Sequence, residues 1–224
     1  AAARFLSTRL FQFFVADIVT SEGELVIDEM VREYFESKYE VSSVLRVMFN
    51  SEYFKSDTAR YARVKGPVES VVGTARIAGS YAEPTIAVTD LWAQTMYMGQ
   101  GLLAPPTVEG WHEGMEWIDS GALVERVNFA AKELGNPDKP GVQSLINRLT
   151  EQYSGSPSPE EMVDGCLDLV GPIEVADRTR EGLIHFATSL GEVILDTDDP
   201  SSDGRKKVAD TLSMIASTRE YQLA

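Results

Sequence analysis

Apolar residues recur every three and four positions along most of the chain, the spacing that places them on one face of an α-helix. Ile27, Met30, Val31, Tyr34 and Phe35 form one such stripe; Val68, Val71, Val72 and Ala75 form a second; Leu123, Val127, Ala130 and Leu134 form a third. The pattern continues through Val142, Leu145, Ile146 and Leu149, through Leu183, Phe186, Ala187, Leu190 and Ile194, and through Val208, Leu212 and Ile215. No segment alternates convincingly with period two. The pattern therefore predicts an all-α, irregular multi-helix bundle of about eight to ten helices, interrupted by a long ordered loop rich in Pro, Gly and Trp.

Boundary residues agree with the periodicity. Pro67 suits a first helical turn after Gly66, and Ser158-Pro159-Glu160-Glu161 combines an N-cap serine, a first-turn proline and an acidic residue at the capping-box position. Gly135 and Gly191 follow periodic runs, where a left-handed residue is expected to close a helix. Between Gly135 and Gly141, two prolines and two flanking glycines oppose helix continuation. The expected division is a helical subdomain over 1–135 with a second over 136–224 packed on it, or the two as one continuous domain. Ser154-Gly155-Ser156-Pro157-Ser158-Pro159 reads as a second, short connection. A faint echo links VLRVMFNSEYF from Val44 with LSMIASTREYQ from Leu212, without amounting to a repeat architecture.

Composition narrows the functions available. With 224 residues, 43% of them hydrophobic, the chain can build one large core or two small ones. Its 35 acidic and 20 basic residues give a net charge of −15, which repels a phosphate backbone unless cations cluster. The longest basic run, Arg205-Lys206-Lys207, follows four aspartates, so nucleic acid is not an expected partner. One cysteine, Cys166, excludes an intrachain disulfide, and its apolar neighbours Met162, Val163, Leu167 and Val170 mark it as a small buried hydrophobe. No stretch approaches the roughly twenty apolar residues of a membrane-spanning helix. The start, Ala1-Ala2-Ala3 with neither initiator Met nor signal-peptide pattern, reads as that of a fragment or processed chain.

Candidate chemistry concentrates in GLLAPPTVEGWHEGMEW, from Gly101 to Trp117, with Asp119 just beyond. Trp111 and Trp117 could stack on a sugar or another flat ligand, Glu113, Glu116 and Asp119 could hydrogen-bond it or act as acid and base, and His112 could shuttle a proton. The preferred reading is architectural: Pro105, Pro106 and Gly110 fix an ordered crossing, both indoles anchor it, and Asp119 or Ser120 caps the next helix. Asn128, a polar residue in LVERVNFAA, is read as structural, needing a hydrogen-bond partner if buried.

Other signatures are missing. His112 and His185 lie far apart, and no His-x-x-x-His or Cys-x-x-Cys spacing occurs, so no metal is expected. In the acidic loop Asp196–Gly204, Pro200 and Ser201 occupy positions where a calcium loop needs an oxygen ligand and a turn glycine. No nucleophile elbow, phosphate-cradling loop or dinucleotide fingerprint is present, and neither catalytic residues nor a cofactor are expected.

KGPVESVVGTARIAG from Lys65, MGQGLLAPPTVEGWHEGMEWIDSGALVERVNFAA from Met98, and the flanking ARFLSTRLFQFFVAD and VLRVMFNSEYF together resemble the carboxy-terminal part of the bacterial domain of unknown function 1800 family. The resemblance runs from Ala3 to Leu134 and rests on Pro105-Pro106, Gly110-Trp111, Trp117 and Asn128-Phe129 in combination. It implies a largely helical protein, often exported, and longer than this chain on its amino-terminal side. His112, Glu113 and Gly114 stand where the family usually has Pro-Gly-Gly after the tryptophan, which argues against a fixed catalytic turn. The expected function is a binding or assembly domain contacting another protein or the amino-terminal remainder of its own chain. A carbohydrate-binding or hydrolytic domain using the Trp/Glu-rich loop is the alternative, and a purely structural subunit of a large complex is a third possibility.

Overall fold

A computed structural model describes residues 1–81, 83, 85–153, 156–171, 173–195 and 203–224. Among these residues the chain forms ten α-helices and no sheet, the all-α multi-helix fold expected from the periodicity. Two units are distinguishable: residues 1–65 with 113–115 and 223–224, and residues 66–112 with 116–222.

The first unit contains α1 (Ala2–Phe14), α2 (Ser21–Glu36) and α3 (Val41–Asn50). Helix α2 starts where Thr20 accepts the Gly23 amide through its hydroxyl (3.2 Å), and Glu22 and Glu24 complement the positive end of the helix dipole. Phe11, Ile27, Met30, Val44 and Met48 are completely buried where the three helices meet. Gly23 permits the close approach of α1 and α2, because a Cβ there would come within 2.9 Å of the Phe11 ring. The α2 stripe turns outward at its end, where Phe35 is exposed against Tyr34 and Tyr39. Beyond α3 the chain is pinned by Asp17, whose carboxylate accepts the Val64 amide (2.7 Å). Arg63 and Ala224 exchange two backbone hydrogen bonds (3.2 and 2.7 Å).

The second unit contains α4 (Pro67–Ile77), α5 (Val88–Tyr97), α6 (Ser120–Leu134), α7 (Pro140–Tyr153), α8 (Pro159–Val170), α9 (Asp177–Ser189) and α10 (Asp203–Ala216). Its main core gathers Leu134 of α6, Val142, Ile146 and Leu149 of α7, Met162, Val163 and Cys166 of α8, Leu183 and Ala187 of α9, and Val208, Leu212 and Ile215 of α10. A smaller cluster of Val71, Met98 and Phe129 lies between α4, the end of α5 and α6. The Ser158 capping box forms as expected, with Ser158 and Glu161 each accepting the other's amide (3.2 and 2.8 Å).

The stretch from Gly135 to Gly141 is a tight turn, and α7 already begins at Pro140, where the missing amide costs nothing. The Gly141 amide donates to the Ala78 carbonyl (2.9 Å), and a Cβ on Gly141 would run into the Ile77 carbonyl. Gly191 adopts the left-handed conformation expected of it, at φ +74. Gly135 does not: its φ is −80, and its role is close approach, since a Cβ would press on Ser213 of α10 at 3.0 Å.

Several expected stripes shift. In α6 the inward face is Ala122, Arg126, Phe129, Ala130, Glu133 and Leu134, whereas Leu123 is exposed. The face is displaced because it includes two charged residues that a hydrophobic pattern leaves out. Helix α9 stops at Ser189, so Ile194 is not on its stripe; residues 191–195 belong to no regular element, with Val193 and Leu195 inward and Ile194 outward.

The internal echo has a physical basis. Ser51 donates to the Met48 carbonyl (2.7 Å) and accepts the Phe54 amide (3.2 Å), and Thr218 makes the same pair of bonds to Ile215 (2.7 Å) and Tyr221 (3.3 Å). A hydroxyl thus closes each helix, with the Glu-Tyr pair offset by one residue between them.

Candidate functional site

The loop after α5 is two rigid turns joined by prolines. Gly99 ends α5 at φ +94, the Gln100 amide reaches back to the Thr95 carbonyl (2.8 Å), and the Gln100 side chain accepts the Val68 amide at the start of α4 (2.9 Å). The first turn, Gly101 to Ala104, closes through the Ala104 amide on the Gly101 carbonyl (3.1 Å). Its third residue, Leu103, has φ +65 in a position that ordinarily takes glycine, at a cost of about 1–2 kcal/mol for an L-residue. The Leu103 side chain is 98% exposed. The Trp111 indole N–H donates to the same Gly101 carbonyl (3.0 Å) and so braces the turn that displays Leu103. Pro105 and Pro106, both exposed, limit the backbone freedom of the span to the second turn. There the Gly110 amide donates to the Thr107 carbonyl (3.2 Å), Gly110 sits at φ +108, and Val108 stands at the tip in solvent.

The remaining sequence candidates have separate local partners. Trp117 is buried and lies against Gly99, where a Cβ would be 3.8 Å from the indole. His112 meets Glu116 (Nδ1 to Oε2, 3.1 Å) and sets its ring edge-on to Trp117. This exposed pair is worth about 0–1 kcal/mol. Glu113 belongs to the first unit, where the Arg9 guanidinium meets both of its oxygens (3.1 and 2.9 Å). Asp119 accepts the Ala122 amide (2.8 Å) as the N-cap of α6. Asn128 is exposed on α6; the buried polar group of that helix is Arg126. His185 is exposed on α9. Cys166 is buried, and loss of solvation pushes its thiol up to about 12. Residues 196–202 of the acidic loop lie outside the described residues. Among the described residues, no group of three His, Cys, Asp or Glu could hold a metal.

Helix α5 supplies what the loop reading missed. Val88, Trp92 and Met96, at i, i+4 and i+8, are exposed by 50%, 47% and 42%, whereas Thr95 faces inward and is buried. Leu91 and Met98 face the cluster with Val71 and Phe129, so α5 carries an exposed apolar stripe in addition to its inward one. Met96 lies beside the first turn, its Cγ 3.8 Å from where a Gly101 Cβ would be, so the stripe and the turn are continuous. The signal was present in the sequence as a tryptophan centred between two apolar residues at helical spacing. A rigid apolar stripe prolonged by turns displaying Leu103 and Val108 is suited to packing against another polypeptide. A separate open cavity of about 500 Å³, beside the N-terminus of α8 and the end of α9, is lined by Ser158, Glu161, Met162, Thr188 and Val193 and contains none of the sequence candidates.

The sequence matches the family described as Protein of unknown function (DUF1800) over residues 1–223, and the chain belongs to that family. The match extends past Leu134 through the whole second half. No curated protein and no solved structure matches the chain. Among the described residues, no helix is long and apolar enough to cross a membrane.

Proposed function

We propose that this member of the family of unknown function is a non-catalytic binding or assembly module, whose α5 stripe and adjoining loop dock another protein or a further part of the same chain. The observation that carries the reading is the exposed apolar stripe of α5, formed by Val88, Trp92 and Met96. Apolar surface left in water is unfavourable by roughly 25 cal/mol per Å², and covering it drives association. The left-handed Leu103 adds support, because backbone strain at a fully exposed apolar residue is more readily understood at a contact point than in a passive linker. Glu113, Glu116 and Asp119 are engaged by Arg9, His112 and the α6 amides respectively, which favours docking over carbohydrate binding or hydrolysis.

Accessibility at α5 tests the reading. Met96→Cys introduces a surface thiol in a chain whose one native cysteine, Cys166, is buried, and the alkylation rate of the new thiol is measured in the purified domain and in the protein as it occurs in its native cells. The expected result is fast labelling of the domain and at least tenfold slower labelling in the cell. Equal rates would show that nothing covers α5.

A further inference from the structure

We propose that the open cavity of the second unit is a binding site for a primary organic amine, an ammonium group carried on a short hydrocarbon body. One wall is the chain that leads into α8, residues 156–162; the other is the last turn of α9 with the segment after it, residues 187–193. The Ser156 hydroxyl laces the walls together by donating to the Val193 carbonyl (2.7 Å). Met162, Ala187 and Val193 are buried and give the cavity an apolar base, which Pro157 and Pro159 extend. Gly191, at φ +74, borders open space: a Cβ built there would meet no atom within 4 Å. At about 500 Å³ the volume falls in the range of small-molecule sites.

The polar lining selects the ligand. Among the described residues, Glu161 and Glu192 are the only charged side chains that line the cavity. Glu161 accepts the Ser158 amide (2.8 Å) in the capping box, a bond that orients the carboxylate without neutralising it. The last turn of α9 adds the negative end of its helix dipole. An anion finds little here, because the Ser158, Glu161 and Met162 amides at the start of α8 are already bonded and Pro159 has none. Lys207 reaches the second wall from α10, but its ammonium is held by the Asp203 carboxylate (2.8 Å) and the Glu192 carbonyl (2.8 Å). Carboxylates together with the Ser158 and Thr188 hydroxyls suit the three donors of a primary ammonium. A quaternary ammonium has no donors, and no aromatic ring lines the cavity to hold one.

The test titrates the whole chain with phenylbutylamine, its neutral analogue phenylbutanol, its anionic analogue phenylbutyrate and the trimethylated form of the amine, following backbone amides by NMR. We expect saturable shifts from phenylbutylamine concentrated in residues 156–162 and 187–193, with the alcohol and the trimethylated amine binding at least threefold more weakly and the carboxylate at least tenfold more weakly. Glu161→Gln combined with Glu192→Gln should weaken phenylbutylamine at least tenfold, and glutamine at the first position still serves the capping box. Thr188→Trp, which sets an indole at the exposed edge of the cavity, should also weaken it at least tenfold. Glu52→Gln, which removes an exposed charge of the first unit, should leave it unchanged. A dispersed amide spectrum and protection of Cys166 from alkylation establish that each variant is folded. Absence of saturable shifts from phenylbutylamine, equal binding of phenylbutyrate, shifts centred elsewhere on the chain, or insensitivity to the glutamine pair or to Thr188→Trp would each overturn the proposal. None of these outcomes bears on the docking role of α5, which is tested separately by the labelling of Met96→Cys.

Discussion

Helices α5 and α6 break the inside-outside rule in opposite senses. Helix α6 buries Arg126 completely and Glu133 almost completely, while α5 turns Val88, Trp92 and Met96 to solvent. In α6 the reason is internal. Arg126 donates through Nε to Gln222 (2.9 Å), Gln222 donates in turn to the Ala216 carbonyl (3.3 Å), and Glu133 accepts from Ser80 (2.7 Å) and Lys139 (3.0 Å). Burial draws the Arg126 guanidinium down to about 10, with the Glu69 carboxylate opposing the shift, so it remains charged at neutral pH. The named partners of Arg126 and Glu133 all lie within the second unit. Among the described residues the α5 stripe has no comparable internal answer, and this difference motivates looking outside the chain for its partner.

The largest effect should come from breaking the α6 side of the comparison. Arg126→Ala removes a completely buried side chain and leaves the Gln222 amide oxygen without its donor, and should cost about 3 kcal/mol of unfolding free energy, measured by urea denaturation. A loss below about 0.5 kcal/mol would mean that the interior network is no better satisfied than the α5 surface.

A second effect depends on pH and supplies a ruler for the core. The Cys166 thiol, ordinarily near 9, holds its proton up to about 12 in the fold. Unfolding releases that proton between those values, so the contribution is fully present below pH 9 and is lost as pH rises through 12. Urea midpoints should fall over this range, and the fall should be shallower in Cys166→Ala than in the parent chain. At neutral pH, alkylation of Cys166 should track global unfolding, and Arg126→Ala should accelerate it.

The smallest effect sharpens the other side. Trp92→Ser should change stability by no more than about 0.5 kcal/mol and leave Cys166 as protected as before, since the side chain is nearly half exposed. A loss of 2 kcal/mol or more would show that the indole holds this fold together and would remove the reason to invoke a partner.

Much of this architecture was legible beforehand because helices announce themselves locally. The stripe Val142, Leu145, Ile146 and Leu149 is buried throughout, and Ser158 with Glu161 and Asp119 before α6 cap where capping chemistry places them. The loop's composition marked it as ordered, and the Trp111 bond to Gly101 shows how one indole orders it. Less legible was the inward face of α6, because hydrophobicity cannot reveal that Arg126 will meet Gln222, 96 residues away. Gly135 was misassigned for a related reason: glycine serves both positive φ and close approach, and only the position of Ser213 distinguishes them.

The sequence by itself determined the helical class, most helix ends, the acidic character and the family, since periodicity, caps and charge depend on neighbours along the chain. Tertiary structure decided which charged groups are buried and satisfied, which apolar stripe is left uncovered, and where the carboxylates of the loop are engaged. Those outcomes depend on distant residues meeting in space, and a stripe at helical spacing reads the same whether its complement lies within the chain, as for α7, or outside it, as proposed for α5.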